Sequence, residues 1–149
     1  MIYPLKLSIE LVPSTSWYNN MRSLMPKSKW DVLRRKVYAG FGHKCGICKA
    51  NGNLHCHEVW EYDDEKYIQK LKGFIPLCMY CHSVKHIGMS GILANSSNLD
   101  LEALIAHFMK INGCDKITFI NHRTESFLIW AERSKHEWTL SISETIIDF

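Results

Sequence analysis

At 149 residues, with 46% hydrophobic and 22% charged residues, the chain has the size and composition of one globular domain. No stretch is apolar enough to predict a membrane-spanning helix and nothing resembles a secretory leader, so we expect a cytoplasmic protein with reduced thiols. Residues 1–53 hold nine Lys and Arg against two acidic residues within a net charge of +3. That asymmetry fits either a polyanion-binding surface or a solvated lysine-rich one.

The first 39 residues predict a short strand near residues 5–12, then a loop and a basic helix. Within PKSKWDVLRRKVY, three apolar residues recur at helical spacing and predict its buried face: Trp30, Leu33 and Val37. Three basic residues point mostly away from that face: Arg34, Arg35 and Lys36. We expect these three to contact nucleic-acid phosphates, and the alternative is an ordinary solvated surface.

Two cysteine pairs, each with two residues between its members, form the most specific pattern: Cys45 and Cys48 in CGIC, and Cys78 and Cys81 in LCMYCH. Together they supply four thiolates for one tetrahedral ion, so we expect a structural zinc. Disulfides are a less favoured alternative, because they require an oxidising compartment. A redox dithiol is also less favoured, because such a site usually has one C-x-x-C pair and not two. Cys56 and Cys114 remain and are expected to be ordinary buried thiols.

The residues between the cysteine pairs predict a β-hairpin followed by a helix. LHCHEVWEY is typical of a half-buried strand, YDDEKYIQKLKGF is a polar connection or short helix, and residues 73–77 form the second strand. The helix carries Cys81 to about His86 and ends at Gly88. His82 and His86 are four residues apart and therefore share one face of this helix.

Beyond residue 90 we expect mostly helix, packed against the small zinc core. Asn98 or Asp100 can cap a first helix that ends at Asn112-Gly113. A second helix around residues 118–133 is expected to bury four large apolar side chains: Phe119, Ile120, Phe127 and Trp130. Alternation over residues 138–142 predicts a short edge strand.

The motifs CGIC, LHCHEVW, LCMYCH and the final KH, in that order, resemble the HNH endonucleases over about residues 40–88. More loosely, VPSTSW, residues 30–38 and IWAERSKHEW are similar to the flanks of a bacterial HNH-like group with a "cHEvWeyD" core. The expected fold class is α+β, with a zinc-stabilised treble-clef or ββα-metal core at residues 40–90. Residues 1–39 (strand, loop and basic helix) and 91–149 (mostly helical) complete one compact domain.

The resemblance implies a second metal site at three histidines: His57, His82 and His86. The ion would be Zn²⁺ or Ni²⁺, which suit imidazole, or Mg²⁺ or Mn²⁺, which prefer more oxygen ligands. Here His55 would be a reserve ligand, because it lies two residues before His57 on the predicted strand. The acidic run at residues 61–65 either supplies oxygen ligands or is a solvated loop.

The catalytic residues that the resemblance implies are His57, Glu58 and His82. Glu58 occupies the position where the family usually has a histidine base, and Gly73 the position of its usual hairpin asparagine. In an alternative register His57 is the base and Cys56 takes the metal position.

The function implied by the resemblance is metal-dependent hydrolysis of phosphodiester bonds, in DNA, with sequence-independent contacts to the backbone. Two non-enzymatic interpretations stay open. One is a treble-clef module that has lost the chemistry and still binds nucleic acid. The other is an inhibitor or adaptor that binds a protein partner through its C-terminal helices.

Overall fold

Helices and one small sheet make up the part of the chain that the structure, a computed structural model, describes: residues 4–17, 20–87 and 100–143. The helices are α1 (Met21–Leu24), α2 (Lys27–Gly40), α3 (Met79–Lys85), α4 (Leu101–Asn112) and α5 (Lys116–Arg133). The strands are β1 (His55–Asp63), β2 (Ile68–Leu77) and β3 (Thr139–Ser141). The predicted mixed α+β class is confirmed. Among these described helices, none is long and apolar enough to cross a bilayer.

The sheet has the order β1-β2-β3, with β1 antiparallel to β2 and β3 parallel to β2. Most of the polar segment that predicted a connection or short helix belongs to the two hairpin strands. Its acidic residues form the turn between them, where Asp63 Oδ1 accepts hydrogen bonds from the N–H groups of Glu65 and Lys66, each at 3.0 Å. The predicted edge strand is confirmed as β3.

A β-bulge interrupts the hairpin at Gly73. Val59 pairs with Gly73, but Trp60 pairs with Leu71, so β2 contains one extra residue. Gly73 has a φ of +155°, which side chains rarely adopt. The bulge changes the alternation of β2, so that Leu71 and Phe74 both pack in the layer containing α2. Gly73, the position at which the resemblance to the HNH endonucleases implies an asparagine, therefore serves this bulge.

The two faces of the hairpin pack against different layers. On one face, Cys56 and Trp60 lie with the apolar side of α2: Trp30, Leu33 and Val37. On the other face, Ile75 and Leu77 pack with α3, α4 and Phe119 of α5. The predicted buried face of the basic helix is confirmed.

The strand predicted near residues 5–12 is wrong, because this segment has no β-pairing within the described residues. Side chains of the C-terminal helices satisfy its backbone instead. Asn112 accepts from Leu7 N at 3.0 Å and donates to Leu7 O at 2.8 Å. The N–H of Ile9 donates to Nε2 of His122 at 2.8 Å. The segment is thus an extended strap across α4 and α5.

The ends of α4 follow the predicted signals. Asp100 caps its start by accepting from Glu102 N, and Gly113 ends it in the left-handed conformation. Asn98, the other predicted cap, and Gly88, the predicted end of α3, lie outside the described residues.

The predicted burial on α5 is confirmed for one of its residues. Phe119 is fully buried against Phe108, with the ring centroids 5.1 Å apart. Ile120 and Phe127 are 41% and 37% exposed. Trp130 is exposed to an intermediate degree and donates its indole N–H to Val12 O at 2.9 Å, so it holds the strap instead of filling the core.

Candidate metal centres

The structure brings together the four predicted zinc ligands. The sulfurs of Cys45, Cys48, Cys78 and Cys81 lie within 4.8 Å of one another. Those of Cys48 and Cys78 are 3.6 Å apart. Sulfurs bound at about 2.3 Å to a tetrahedral zinc ion are separated by about 3.8 Å, so the donor set and the spacing fit a structural metal such as zinc.

Local backbone geometry builds each half of the cysteine cluster. The first pair lies in a tight turn, where Cys48 N points at Cys45 Sγ at 3.5 Å. A Cβ atom on Gly46 would lie 2.5 Å from Cγ1 of Ile75, so only glycine lets this turn approach β2 so closely. In the second pair, Cys78 caps α3, and its Sγ accepts from Cys81 N at 3.4 Å. Backbone N–H groups therefore point at a sulfur of each pair, which stabilises thiolates.

His107 of α4 also contacts the cysteine cluster, a role that its sequence pattern does not predict. Its Nε2 lies 3.2 Å from Cys81 Sγ, and burial lowers the pKa of its imidazole. A metal-bound thiolate only accepts hydrogen bonds, so His107 Nε2–H would be the donor. No local pattern points to this role, because Cys81 lies 26 residues away and the helical spacing around His107 predicts only packing.

The three predicted histidines also converge. His57 from β1 and His82 and His86 from α3 each offer a ring nitrogen, and these nitrogens lie within 4.8 Å of one another. Burial, followed by the neighbouring imidazoles, lowers the pKa of His82 to about 3, and burial lowers the pKa of His86 to about 4. Neutral imidazole is the form that binds a metal ion, so these rings are ready to act as ligands at neutral pH.

Helix α3 joins the two clusters. Cys81 and His82 are consecutive, and a helix turns by about 100° per residue. Cys81 therefore faces the sulfur cluster while His82 faces His57, with ring centroids 5.5 Å apart.

His55, the reserve ligand, lies beside the histidine cluster. Its ring centroid is 4.9 Å from that of His82, and the residue is exposed. Among the described residues, the set of histidine nitrogens within 4.8 Å of one another contains only His57, His82 and His86.

The structure does not bring Glu58 to the histidines. Successive side chains of a strand point to opposite faces, so Glu58 lies with Trp60 on the face opposite His57. One oxygen accepts from Met21 N at 2.9 Å and the other from Trp60 Nε1 at 3.1 Å. Burial raises the pKa of Glu58. The two hydrogen bonds lower it, but the effect of burial is larger. The geometry gives no support to Glu58 as the base, nor to Cys56 as a ligand, since Cys56 shares that face.

Glu58→Gln tests this assignment. Both carboxylate oxygens accept from donors, whereas an amide offers one acceptor, so we expect the free energy of unfolding to fall by about 1–3 kcal/mol. Co²⁺ binding by the three histidines should not change. Urea unfolding and a Co²⁺ titration measure the two effects, with Glu61→Gln, an exposed position on the same strand, as the control. Weaker Co²⁺ binding at unchanged stability would contradict the structural role.

Glu10 of the strap reaches the histidine cluster, a contact that no local sequence pattern indicates. Its Oε2 lies 3.2 Å from His57 Nε2, and its Oε1 lies 2.7 Å from Nζ of the buried Lys85. Burial raises the pKa of Glu10, but hydrogen bonds from His57 and Lys85 outweigh it and lower the pKa to about 2. The site therefore contains an ionised carboxylate from a segment remote in sequence.

The remaining predicted residues lie elsewhere. Helix α2 packs on the face of the hairpin opposite His57, so Arg34, Arg35 and Lys36 do not converge with the histidines. Arg34 is paired with Asp31 at 2.9 Å. In the acidic run, Asp64 accepts two hydrogen bonds from Arg133, at 2.8 and 3.0 Å. The run thus has structural partners in the turn and in α5.

Comparison of the chain with models of known protein families, with curated proteins and with solved structures yields no match.

Proposed function

We propose that the protein is a metal-dependent phosphodiesterase of the HNH type that acts on DNA. The observation that carries the proposal is the convergence of three imidazoles, one buried on a hairpin strand and two half-buried on a helix, beside a four-cysteine cluster. A structural metal at the cysteines would fix α3 against the hairpin. The neighbouring histidines would then form a rigid site, as catalysis requires.

His57, His82 and His86 would hold one divalent ion. Imidazole nitrogens suit Zn²⁺ or Ni²⁺, and Mg²⁺ or Mn²⁺ would need additional oxygen ligands from water or substrate. When bound, such an ion supplies positive charge against a phosphate oxygen and the leaving oxygen.

His55 is the residue we assign to proton transfer in place of Glu58. It is exposed, it shares the strand face of His57, and its ring lies next to that of His82. Its role would be to accept a proton from the attacking water. Glu58 would only support the fold, since both its oxygens accept hydrogen bonds on the opposite face.

Plasmid nicking by the purified, zinc-loaded protein tests the proposal. We expect supercoiled DNA to be nicked with at least one of Mg²⁺, Mn²⁺, Ni²⁺ or added Zn²⁺, and to stay intact when only the tightly bound zinc is present. A substrate that is bound but left intact under all four conditions would contradict the enzyme assignment.

The second candidate is a zinc-stabilised module that binds nucleic acid without cutting it. The observation that favours it is the separation of the basic helix α2 from the histidines by the hairpin. In that case DNA affinity would fall with rising salt, because released counterions drive binding to phosphates. Substitution of Arg35 would weaken binding, and His82→Ala would leave it unchanged.

A further inference from the structure

We propose that Glu10 is a positioning residue that orients His57 as a ligand in the three-histidine metal site. The inference rests on the second metal site of the proposed function, but not on the reaction catalysed there. It assigns a role in metal binding to the amino-terminal strap, which contributes no ligand of its own.

The contacts of Glu10 connect three elements. Its backbone N–H donates to Lys85 O at 2.9 Å, which joins the strap to the end of α3. Its Oε1 accepts from Lys85 Nζ at 2.7 Å, and its Oε2 lies 3.2 Å from Nε2 of His57 on β1. Lys85 therefore holds both the backbone and one carboxylate oxygen of Glu10, and the other oxygen faces the imidazole of His57.

The hydrogen bond to Glu10 selects the tautomer of His57. A carboxylate paired with a lysine at 2.7 Å is ionised and only accepts hydrogen bonds, so His57 Nε2 must carry the proton. The lone pair is then on Nδ1, which becomes the ligand atom. Metal-binding histidines commonly donate their other ring N–H to a carboxylate, which fixes the ring and raises its basicity as a ligand.

Glu10 acts on the ion through His57. Among the described residues, the set of ligand atoms within 4.8 Å of one another contains the three histidines and no carboxylate oxygen. Lys85, only 5% exposed, neutralises the charge of Glu10 and holds its other oxygen. The contacts of Glu10 therefore suit a carboxylate that supports a ligand, and not a fourth ligand of the ion.

The C-terminal helices fix the position of Glu10. Leu7 is hydrogen bonded in both directions by Asn112 of α4, and Ile9 N is held by His122 of α5. The segment immediately before Glu10 is thus anchored over residues 7–9. This arrangement gives the C-terminal layer a function at a site to which it contributes no ligand.

Glu10→Gln is the sharpest test, because it preserves size and reverses one hydrogen bond. Lys85 Nζ only donates, so the amide oxygen of the replacement would face Lys85 and its NH₂ group would face His57. Nε2 of His57 would then have to accept, which places the proton on Nδ1 and blocks the ligand atom. With zinc already in the cysteine site, we expect Co²⁺ to bind about 10- to 100-fold more weakly than in the wild type.

Co²⁺ affinity and the visible d–d absorption bands of the bound ion are the readouts, with Glu61→Gln as the control. A Co²⁺ affinity of Glu10→Gln equal to that of the wild type would overturn the inference, as would a wild type that binds no second ion. A wild type that binds Co²⁺ but never nicks DNA, with weakened binding in Glu10→Gln, would refute the nuclease and support the inference.

The tautomer of His57 can be measured without a variant. In ¹⁵N-labelled, zinc-loaded wild-type protein without added second metal, long-range ¹H–¹⁵N correlation spectra should show the proton of His57 on Nε2. A proton on Nδ1 would overturn the inference, whatever the stability of Glu10→Gln.

Discussion

Replacing Cys45 with serine should abolish zinc binding and cooperative unfolding together. Cys45 is fully buried and belongs, with Cys78 and Cys81, to the same apolar cluster as Leu77 and Phe108. The ion would therefore lie within the core. Structural zinc contributes about 10–16 kcal/mol of apparent binding free energy in small zinc modules, which exceeds the stability of most small domains. Loss of one thiolate should therefore unfold this layer.

Zinc content and a circular-dichroism melt measure the effect of Cys45→Ser. Cys114→Ser is the matched control, because Cys114 packs against the same cluster but lies outside the four-sulfur set. We expect the control to keep one zinc ion per chain and a sharp transition. A Cys45→Ser protein that retains the wild-type melting temperature would show that the core does not depend on metal.

His82→Ala should reduce metal-dependent nicking by at least about 100-fold and leave the structural zinc in place. The ring of His82 lies at the centre of the histidine group, with centroids 4.9, 5.5 and 4.8 Å from those of His55, His57 and His86. A bound ion stabilises developing charge by several kcal/mol, and each 1.4 kcal/mol corresponds to about tenfold in rate. If His82 is a ligand, as the proposed function requires, its loss should remove most of that stabilisation.

Rates of plasmid nicking at saturating metal, with zinc content measured on the same samples, test His82→Ala. His43→Asn is a suitable control, because His43 is exposed and its φ of 58° is one that asparagine tolerates. Unchanged nicking by His82→Ala at full zinc content would exclude the histidine cluster as the catalytic site. Equal loss in both variants would point to a general effect on folding.

The features that the sequence predicted correctly depend on the spacing of residues that are close together along the chain. The cysteine spacing sets two tight turns that point backbone N–H groups at sulfur, and the i, i+4 spacing puts His82 and His86 on one face of α3. The apolar spacing of α2 and the Asp100 and Gly113 caps of α4 are likewise local. Each depends on the geometry of a single turn, helix or strand, which a few neighbouring residues determine.

Strand alternation decided the position of Glu58. The resemblance to the HNH endonucleases implied a ligand at His57 and a base at Glu58, but consecutive residues of a regular strand face opposite sides. The extra residue of the bulge lies in β2, so β1 keeps its regular alternation. His57 therefore faces α3, while Glu58 accepts a hydrogen bond from Met21 N at the start of α1. The sequence placed both residues on the strand, but packing determined which of them reaches the candidate site.

By itself the sequence determined which residues can bind metal: four cysteines in two turns, and two histidines on one helix face with a third on a strand. The tertiary structure decided what surrounds them. Glu10 reaches His57 across 47 residues, and His107 reaches Cys81 across 26. The physical reason is that such contacts form only when folding brings the strap and the C-terminal helices against α3. The spacing of neighbouring residues along the chain carries no information about these distant contacts.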